Sequence, residues 1–526
     1  MRGIAVVRHA SSRIPAIGAA AMAALWACLL GLSADASAAG RRPNLAAATP
    51  AQTTTFDPHK TVGVPGFLFT GNVFDTLVQL NPTPSDGRGR ILPALATKWS
   101  TSSDGKQLDF TLRQGVKFHD GQVMTAKDVK FSIERAVSPE IKNPFGTTFL
   151  PKIDHVEVLT PNSVRIHLKE GWAGSYDGLA ARGQIISREY MTKVGEAQFA
   201  KQPIGTGPYA FVGYRPGDFV ELKAFDDYWG GKPQFERIMW RTIPDVNTRI
   251  ALLQSGGADV ITDVIPSLMQ TVKSGGANVG VVRSSLQRDI FINTLNGGPL
   301  ADKRVRMALN ISFDRKALFP AVFGFEVAEI YGPLSKFQIA GDAAPPLKYD
   351  PDKAKQLLTE AGFANGFTTE LIYLPGRYPG EEELLPALVS YWKKVGINVV
   401  LKQVEYNAWN TAVLNKTYPG MLSYTKGNGQ VTDPLFSFVR NFKCKAVLSA
   451  YCNPEFDKFL SRADGVVDEQ KIKEIFSKAQ IWMQDEAPHI YLFDNPQIMG
   501  WRKGLVWKSE LAPELGIPWT KLEIVQ

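Results

Sequence analysis

Hydrophobic and polar residues recur at two different periods along this chain, and each period predicts its own kind of element. In the stretch TAKDVKFSIERAV, Val129, Ile133 and Val137 stand four residues apart, which predicts an amphipathic helix with Thr125 as its N-cap. In SVRIHLKE, polar and apolar residues alternate strictly, which predicts a half-buried β-strand. Apart from that helix, the segment from 54 to 170 has mostly strand and turn patterns.

The remainder of the chain contains alternating helix and strand patterns, which are typical of α/β layers. DVNTRIALLQSGGADVI predicts a helix that ends at a glycine pair and leads into a short strand. YDPDKAKQLLTEAGF predicts a helix capped by Asp350 and ended by Gly362. The stretches TTELIYLP, EEELLPALVSYWKKVG and INVVLKQVEY predict strand, helix and strand, and such a crossover requires parallel strands. A long amphipathic helix in DEQKIKEIFSKAQIWMQDEAP and a strand in HIYLFD follow.

The glycines of PIGTGPYAF, at 203–211, suit either a phosphate-binding loop or a bend in the chain. A phosphate loop needs free backbone N–H groups, a helix directly after it and usually a Lys before Ser or Thr. Pro208 has no N–H, and the following YAFVGYRPGDFVELKAF alternates around a turn as a β-hairpin does. We therefore expect a bend with a structural role.

The N-terminus has the pattern of a secretory signal peptide. Three arginines precede an apolar run from 14 to 32, and Ala36-Ser37-Ala38 is a small-residue cleavage pattern. Residues 1–38 are therefore predicted to be removed, and the mature protein to lie in the periplasm. Proline and glycine interrupt the run, which disfavours the alternative of a permanent anchor. Lipidation at Cys28 is the minority alternative, because the bulky Trp26 fits that pattern poorly.

Length, charge and cysteine content narrow the class of protein. A chain of 526 residues is too long for one hydrophobic core, so several domains or lobes are expected. The chain has 59 Lys and Arg and 51 Asp and Glu residues. Cleavage would remove three of the basic residues and one of the acidic ones, which leaves the mature protein with a net charge of +6. Basic residues are spread without an Arg- or Lys-rich stripe, so nucleic-acid binding is not supported. Cys444 and Cys452 remain, and in an oxidising compartment they predict a disulfide.

Four long stretches closely resemble successive blocks of one protein family. They are ILPALATKWSTSSDGKQLDFTLRQGVKFHDGQVMTAKDVKFSIER, PIGTGPYAFVGYRPGDFVELKAFDDYWGGKP, PLADKRVRMALNISFDRKALF and YDPDKAKQLLTEAGF. The family is the bacterial periplasmic peptide- and nickel-type solute-binding proteins of ABC importers, called family 5. The blocks stand in the family's order, and the resemblance spans nearly the whole mature chain, from FDPH at 56–59 to YCNPEFDKFLSRA.

The resemblance implies an α/β fold of two lobes, the class II type of periplasmic binding protein, with an extra β-rich subdomain in the first lobe. Lobe I is expected at 39–75, the β-rich subdomain at 76–202, and lobe I again at 203–290. Lobe II is expected at 291–496, followed by a C-terminal return to lobe I at 497–526. The crossings near 290 and 496 would then form a hinge.

Signs of enzymatic or metal chemistry are weak in this sequence. The histidines after the signal peptide are scattered, without HExxH or another paired spacing, and no Gly-x-Ser-x-Gly elbow occurs: His59, His119, His155, His167 and His489. No catalytic residue, metal ligand or cofactor is therefore predicted. The alternative function is a secreted hydrolase of a periplasmic peptide or glycan, for which neither a nucleophile nor a carboxylate pair is recognisable.

Candidate ligand contacts follow from the resemblance. In dipeptide-binding relatives an Arg in the loop that corresponds to YLPGRYPGEEELL holds the ligand carboxylate, and Arg377 stands at that position here, with Tyr378 beside it. A planar guanidinium offers two parallel donors to a carboxylate. The alternative is that Arg377 packs on Tyr378 or pairs with one of the three glutamates at 381–383.

A second anchor of the relatives is missing at the expected place. Peptide-binding relatives carry an Asp about three residues before a DP or EP pair, and it neutralises the peptide's amino group. In SYTKGNGQVTDPLFSF that position is Gln430, with Asn428 and Lys426 close by. An amide cannot offset the desolvation of a buried ammonium, so an anionic or neutral polar ligand is expected rather than a free peptide. If the loop carries an insertion, Asp433 takes the amine-binding place.

Aromatic residues are candidates for the apolar walls of the pocket: Phe67, Trp409 and Tyr424. The alternative for each is a place in the hydrophobic core. Together these observations predict a non-enzymatic, monomeric protein that closes two lobes on a small polar ligand. The ligand classes considered are peptide-like compounds, opines, sugar acids and oligosaccharides, and the partner is an inner-membrane ABC permease. Ligand binding would shift an equilibrium between open and closed forms.

Overall fold

The computed structural model describes residues 42–61, 63–83, 90–141, 150, 152–284, 286–336, 338–375, 378–427, 434–446, 448–512 and 516–525. Residues 44–526 form one compact unit. The predicted signal peptide lies outside the described residues, as do Arg377, Asn428, Gln430 and Asp433. None of the described helices is both long enough and apolar enough to cross a membrane.

The strands are, in chain order, β1 (Leu45–Thr49), β2 (Val78–Leu80), β3 (Ile91–Pro93), β4 (Ala96–Thr101), β5 (Gln107–Leu112), β6 (Ile153–Thr160), β7 (Ser163–Leu168), β8 (Tyr209–Arg215), β9 (Phe219–Ala224), β10 (Arg237–Thr242), β11 (Val260–Ile261), β12 (Asn278–Val282), β13 (Leu286–Ile292), β14 (Phe367–Tyr373), β15 (Ile397–Gln403), β16 (Met421–Gly427), β17 (His489–Asp494), β18 (Gln497–Trp501), β19 (Leu505–Trp507) and β20 (Leu522–Ile524).

The α-helices are α1 (Gly63–Val73), α2 (Ala126–Val137), α3 (Ser175–Arg182), α4 (Arg188–Val194), α5 (Glu196–Phe199), α6 (Val246–Ser255), α7 (Met269–Ser274), α8 (Lys303–Ile311), α9 (Arg315–Phe323), α10 (Pro351–Glu360), α11 (Glu381–Lys394), α12 (Tyr406–Asn415), α13 (Pro434–Phe442), α14 (Pro454–Leu460) and α15 (Glu469–Glu486). Short 3₁₀ turns lie at Pro139–Ile141, Pro266–Leu268, Pro299–Ala301, Ser461–Ala463 and Trp519–Lys521.

Two mixed sheets and one antiparallel sheet organise these elements. The seven-stranded sheet has the order β12-β18-β11-β1-β10-β9-β8, and the five-stranded sheet has the order β15-β14-β16-β13-β17. Each has its own hydrophobic core, centred on residues such as Trp240 and Trp392. The antiparallel sheet β4-β5-β7-β6 packs on a third core with α2. Helices packed on mixed sheets confirm the predicted α/β class.

Local sequence signals explain most of these elements. The carboxylate of Asp128 accepts hydrogen bonds from the N–H (2.9 Å) and hydroxyl (2.8 Å) of Thr125, so α2 begins where its capping pattern predicted. Asp350 caps α10 by accepting from the N–H of Lys353 at 2.8 Å. Strands β14 and β15 pair in parallel, as the crossover pattern requires. The predicted hairpin β8–β9 and the predicted disulfide between Cys444 and Cys452 are also confirmed.

The bend at 203–211 has the predicted structural role, because Gly205 and Gly207 lie too close to the end of α1 to carry a side chain. A Cβ on Gly205 would lie 1.9 Å from the carbonyl oxygen of Val73. The ring of His119 donates to the carbonyl of Gly207 at 2.9 Å and accepts from the N–H of Gly205 at 3.3 Å. The loop is thus bound to its neighbours through backbone atoms, and β8 of the seven-stranded sheet follows directly.

Sheet membership follows the chain in a discontinuous way. The seven-stranded sheet takes strands from 45–49 and 209–282 and then β18 at 497–501, whereas the five-stranded sheet uses strands between 286 and 494. The five-stranded sheet begins at Leu286, a little before the predicted boundary at residue 290. The exact lobe boundaries stay predictions.

Candidate functional site: a cavity between the two mixed sheets

A cavity of about 740 Å³ is lined by segments that lead out of both mixed sheets. From the side of the seven-stranded sheet come Thr49, Pro50, Ala51, Pro65, Leu68, Pro244, Asp245, Val246, Arg249, Asp263, Val264, Ile265, Pro266, Ser267, Gln497 and Ile498. The side of the five-stranded sheet supplies Leu286, Val322, Tyr378, Pro379, Gly380, Glu381, Glu382, Glu383, Thr425, Asn495 and Pro496. The cavity thus lies between two bodies with separate cores.

Arg249 holds two of the lining loops together. Its guanidinium donates to four backbone carbonyls, those of Ile243 and Pro244 (both 2.7 Å), Thr262 (3.2 Å) and Asp263 (2.9 Å). The side chain is almost fully buried, so these bonds replace the water that an exposed guanidinium would keep. Arg249 therefore fixes the loop before α6 against the loop after β11.

Asp263 occupies an unusual backbone conformation at the cavity wall. Its φ angle is +54°, a left-handed value that a non-glycine residue rarely adopts. The half-buried carboxylate accepts one hydrogen bond, from the hydroxyl of Thr262 at 2.6 Å. Burial raises the pKa of this carboxyl, while the Thr262 bond and the charge of Arg249 act in the opposite direction.

A buried ion pair lies behind the other side of the cavity, and its carboxylate partner, Glu381, belongs to the lining. Arg288 on β13 and Glu381 at the start of α11 are each 1% exposed, and Nη2 of Arg288 donates to Oε1 of Glu381. The hydroxyl of Ser423 bonds the same oxygen, and Nη1 of Arg288 lies 3.4 Å from the hydroxyl of Thr425. The pair thus joins α11 to β13 and β16.

Tyr378 covers this ion pair from the loop before α11. The guanidinium carbon of Arg288 lies 4.1 Å from the centre of its ring, which is the geometry of a cation–π contact. Tyr378 also lines the cavity, as the prediction of a ligand contact requires. Its contact with a ligand stays a prediction.

The three other aromatic candidates are not among the residues that line this cavity. Strand alternation explains Tyr424: its neighbour Thr425 faces the cavity, so Tyr424 lies on the opposite face and stacks on Trp409 with ring centres 5.3 Å apart. Trp409 is 4% exposed within a hydrophobic core. Phe67 is buried with the guanidinium of Arg182 3.9 Å from its ring centre. Trp409 thus lies within a core and Tyr424 packs against it partly buried, and contact of these three residues with a ligand stays a prediction.

Sequence reasoning did not single out Arg249, Asp263 or Arg288. Arg249 lies in a stretch with an ordinary helix pattern, and no local signal marks it as buried. Glu381 was considered only as a partner of Arg377. A charged residue inside an apolar strand, as Arg288 is in LQRDIFI, is the one signal that pointed to a buried pair.

Comparison with known proteins identifies the family. The model of bacterial extracellular solute-binding proteins, family 5, matches residues 90–447. The chain belongs to this family. It is also 30% identical over 450 residues to the dipeptide-binding protein of Escherichia coli, covering 77% of this chain and 81% of that protein. The function predicted from the sequence, a solute-binding protein of an ABC importer, is thus confirmed at the level of the family.

Solved structures confirm the two-lobed fold of this family 5 protein. The ABC transporter substrate binding protein CtaP of Listeria monocytogenes matches with a TM-score of 0.83 at 22% identity, covering 92% of this chain and all of that one. AgaA of A. tumefaciens, in complex with agropinic acid, matches with a TM-score of 0.72 at 24% identity, covering 92% and 99%. The family is one of binding proteins, and within the described part of this member no cluster of three or more potential metal ligands occurs.

Proposed function

We propose that this protein captures a small polar solute between its two lobes outside the cytoplasm and delivers it to an inner-membrane ABC permease. The observation that carries the proposal is the cavity of about 740 Å³, which is lined by segments from both mixed sheets. Its volume suits a small molecule. A ligand that contacts both walls binds most tightly when the lobes are closed, so ligand binding shifts the equilibrium towards the closed form.

The proposed ligand is peptide-like or opine-like, with sugar acids and oligosaccharides as further classes. The similarity to a dipeptide-binding protein and to a protein that binds agropinic acid supports the first two. Tyr378 at the cavity supports a role for the preceding loop, and we retain Arg377 as the anchor of a ligand carboxylate. Asn428 and Gln430 are retained as polar contacts from the loop that follows β16.

Compartment and partners complete the proposal. The signal peptide at 1–38 is cleaved, the mature protein is a monomer in the periplasm, and Cys28 is removed rather than lipidated. The membership of an extracellular solute-binding family supports this placement. The lobes hinge near residues 290 and 496, and the support for this is that the chain leaves one mixed sheet for the other close to both positions, between β12 and β13 and between β17 and β18.

Native mass spectrometry of protein purified without denaturation tests the proposal. We expect the mass of a chain that begins near Ala39, together with a bound solute that dissociates on unfolding. Small-angle scattering with and without that solute should show compaction. An unchanged radius of gyration at saturation would contradict closure, and a solute turned over by ligand-depleted protein would contradict a binding role.

A further inference from the structure

The described wall of the cavity is dominated by acidic residues. Its charged members are five carboxylates and one guanidinium: Asp245, Asp263, Glu381, Glu382, Glu383 and Arg249. Arg288 adds a second positive charge behind Glu381. This balance differs from the one expected for an anionic ligand, so the part played by each acid has to be separated.

Three of these acids have a local structural role. Asp245 caps α6 by accepting from the N–H and the hydroxyl of Thr248, both at 2.7 Å. Glu382 and Glu383 are exposed in the first turn of α11, where the helix dipole favours negative charge. These residues therefore say little about the ligand.

Asp263 has no comparable explanation. Its carboxylate forms no ion pair with a described residue, and all the hydrogen bonds of the nearby Arg249 guanidinium go to backbone carbonyls. The left-handed backbone at Asp263 costs conformational free energy, and Arg249 holds it in place through the carbonyl of the same residue. The result is a half-buried carboxylate held rigidly at the cavity wall.

Glu381 is a second, independent indication on the other side of the cavity. Its Oε1 atom accepts from both Arg288 and Ser423, whereas its Oε2 atom is buried and accepts from no described residue. A buried carboxylate oxygen without a donor is unfavourable, because it has lost its hydration and gained no hydrogen bond in return. A donor supplied by a ligand would remove that cost.

We propose that Asp263 is the subsite for a cationic nitrogen of the ligand, an ammonium or guanidinium group, and that Glu381 supplies a further acceptor from the other lobe. The inference rests on the proposed function and names the charge of its ligand. It replaces the expectation, drawn from Gln430, that a ligand with a free amine binds poorly. A cation held by carboxylates of both lobes would also favour the closed form.

Matched pairs of dipeptides test the proposal by calorimetry, because the members of each pair differ in one cationic nitrogen. The pairs are leucyl-arginine with leucyl-citrulline, leucyl-lysine with leucyl-norleucine, and glycyl-leucine with its N-acetyl derivative. We expect at least one cationic member to bind about ten- to a hundredfold more tightly than its neutral partner. Equal or tighter binding of the neutral members would overturn the proposal.

The variant Asp263→Asn isolates the carboxylate, and Asn tolerates the left-handed backbone. In this variant, the ratio of affinities between the cationic and the neutral member of a pair should fall to less than about threefold. The matched control Asp218→Asn alters a half-buried carboxylate in the β8–β9 turn, which pairs with Arg215 and does not line the cavity, and should leave the preference intact. A preference that survives in Asp263→Asn would refute the assignment.

The co-purified solute provides a test that does not depend on the panel. A solute without a cationic nitrogen overturns the inference while leaving the proposed function intact. A protein that binds no member of the panel and carries no solute counts against the proposed function itself. The two failures are therefore distinguishable.

Discussion

The buried pair of Arg288 and Glu381 allows a sharp prediction about the cavity wall. The substitution Arg288→Met removes the guanidinium but keeps much of the side-chain volume. Glu381 would then be left 1% exposed, with the Ser423 hydroxyl as its remaining described donor. Tyr378 would also lose the cation on which its ring lies. We therefore expect both a loss of stability and a loosened cavity wall.

The magnitude follows from burial. Removing one partner of a buried ion pair costs about 3 to 5 kcal/mol, because an uncompensated charge remains in the interior. Replacing both partners, as in Arg288→Met/Glu381→Gln, leaves no buried charge and should cost much less than the sum of the two single changes. The matched control is Lys303→Met, which breaks a pair with Asp485 that is 50% and 66% exposed and should cost about 0 to 1 kcal/mol.

Urea unfolding at pH 7, followed by tryptophan fluorescence, measures these free energies for the wild type, both single variants, the double variant and the control. The double-mutant cycle gives the coupling between Arg288 and Glu381. A cost below about 1 kcal/mol for Arg288→Met, or single costs that add in the double variant, would refute the importance assigned to this pair.

Three further predictions concern acid sensitivity, the bend and the ligand anchor. Burial lowers the pKa of His59 from 6.5 to about 4; the charge of Asp57 opposes this shift and the charge of Arg135 adds to it. The free energy of unfolding that the neutral ring contributes is therefore fully present above pH 6.5 and is lost as the pH falls towards 4. His59→Gln should therefore remove about 2 kcal/mol of the stability difference between pH 7 and pH 5 in urea titrations, and an unchanged difference would contradict a neutral, buried ring. Gly205→Ala should lower the free energy of unfolding by about 1 to 3 kcal/mol, because the new methyl group would collide with the carbonyl oxygen of Val73. The control Gly213→Ala places its methyl group in open space and should have little effect, and equal melting temperatures for the two variants would disprove the close approach. Arg377→Ala should weaken binding of a carboxylate ligand by about 1.5 to 3 kcal/mol in calorimetry without lowering the melting temperature of the unliganded protein, and unchanged affinity would return Arg377 to a packing role.

Elements whose causes are local can be located from the sequence alone. The caps at Thr125 and Asp350 and the alternation in β7 act over a few residues, so pattern alone located α2, α10 and that strand. The strand–helix–strand pattern indicated the parallel pairing of β14 with β15, because parallel neighbours need a long crossover and a helix is its usual form. Long blocks in a fixed order were enough to indicate the family.

The set of side chains around the cavity depends on long-range packing. Arg288 and Glu381 are 93 positions apart, and Arg249 reaches Asp263 from a different element, so no local pattern connects them. Tyr424 and Thr425 are adjacent in sequence, yet the sheet sends them to opposite faces. Trp409 lies within a hydrophobic core, because burial of large apolar side chains is favourable wherever the fold brings them together. The charge of the cavity is set by which chain segments meet there, and that depends on the packing of the whole fold.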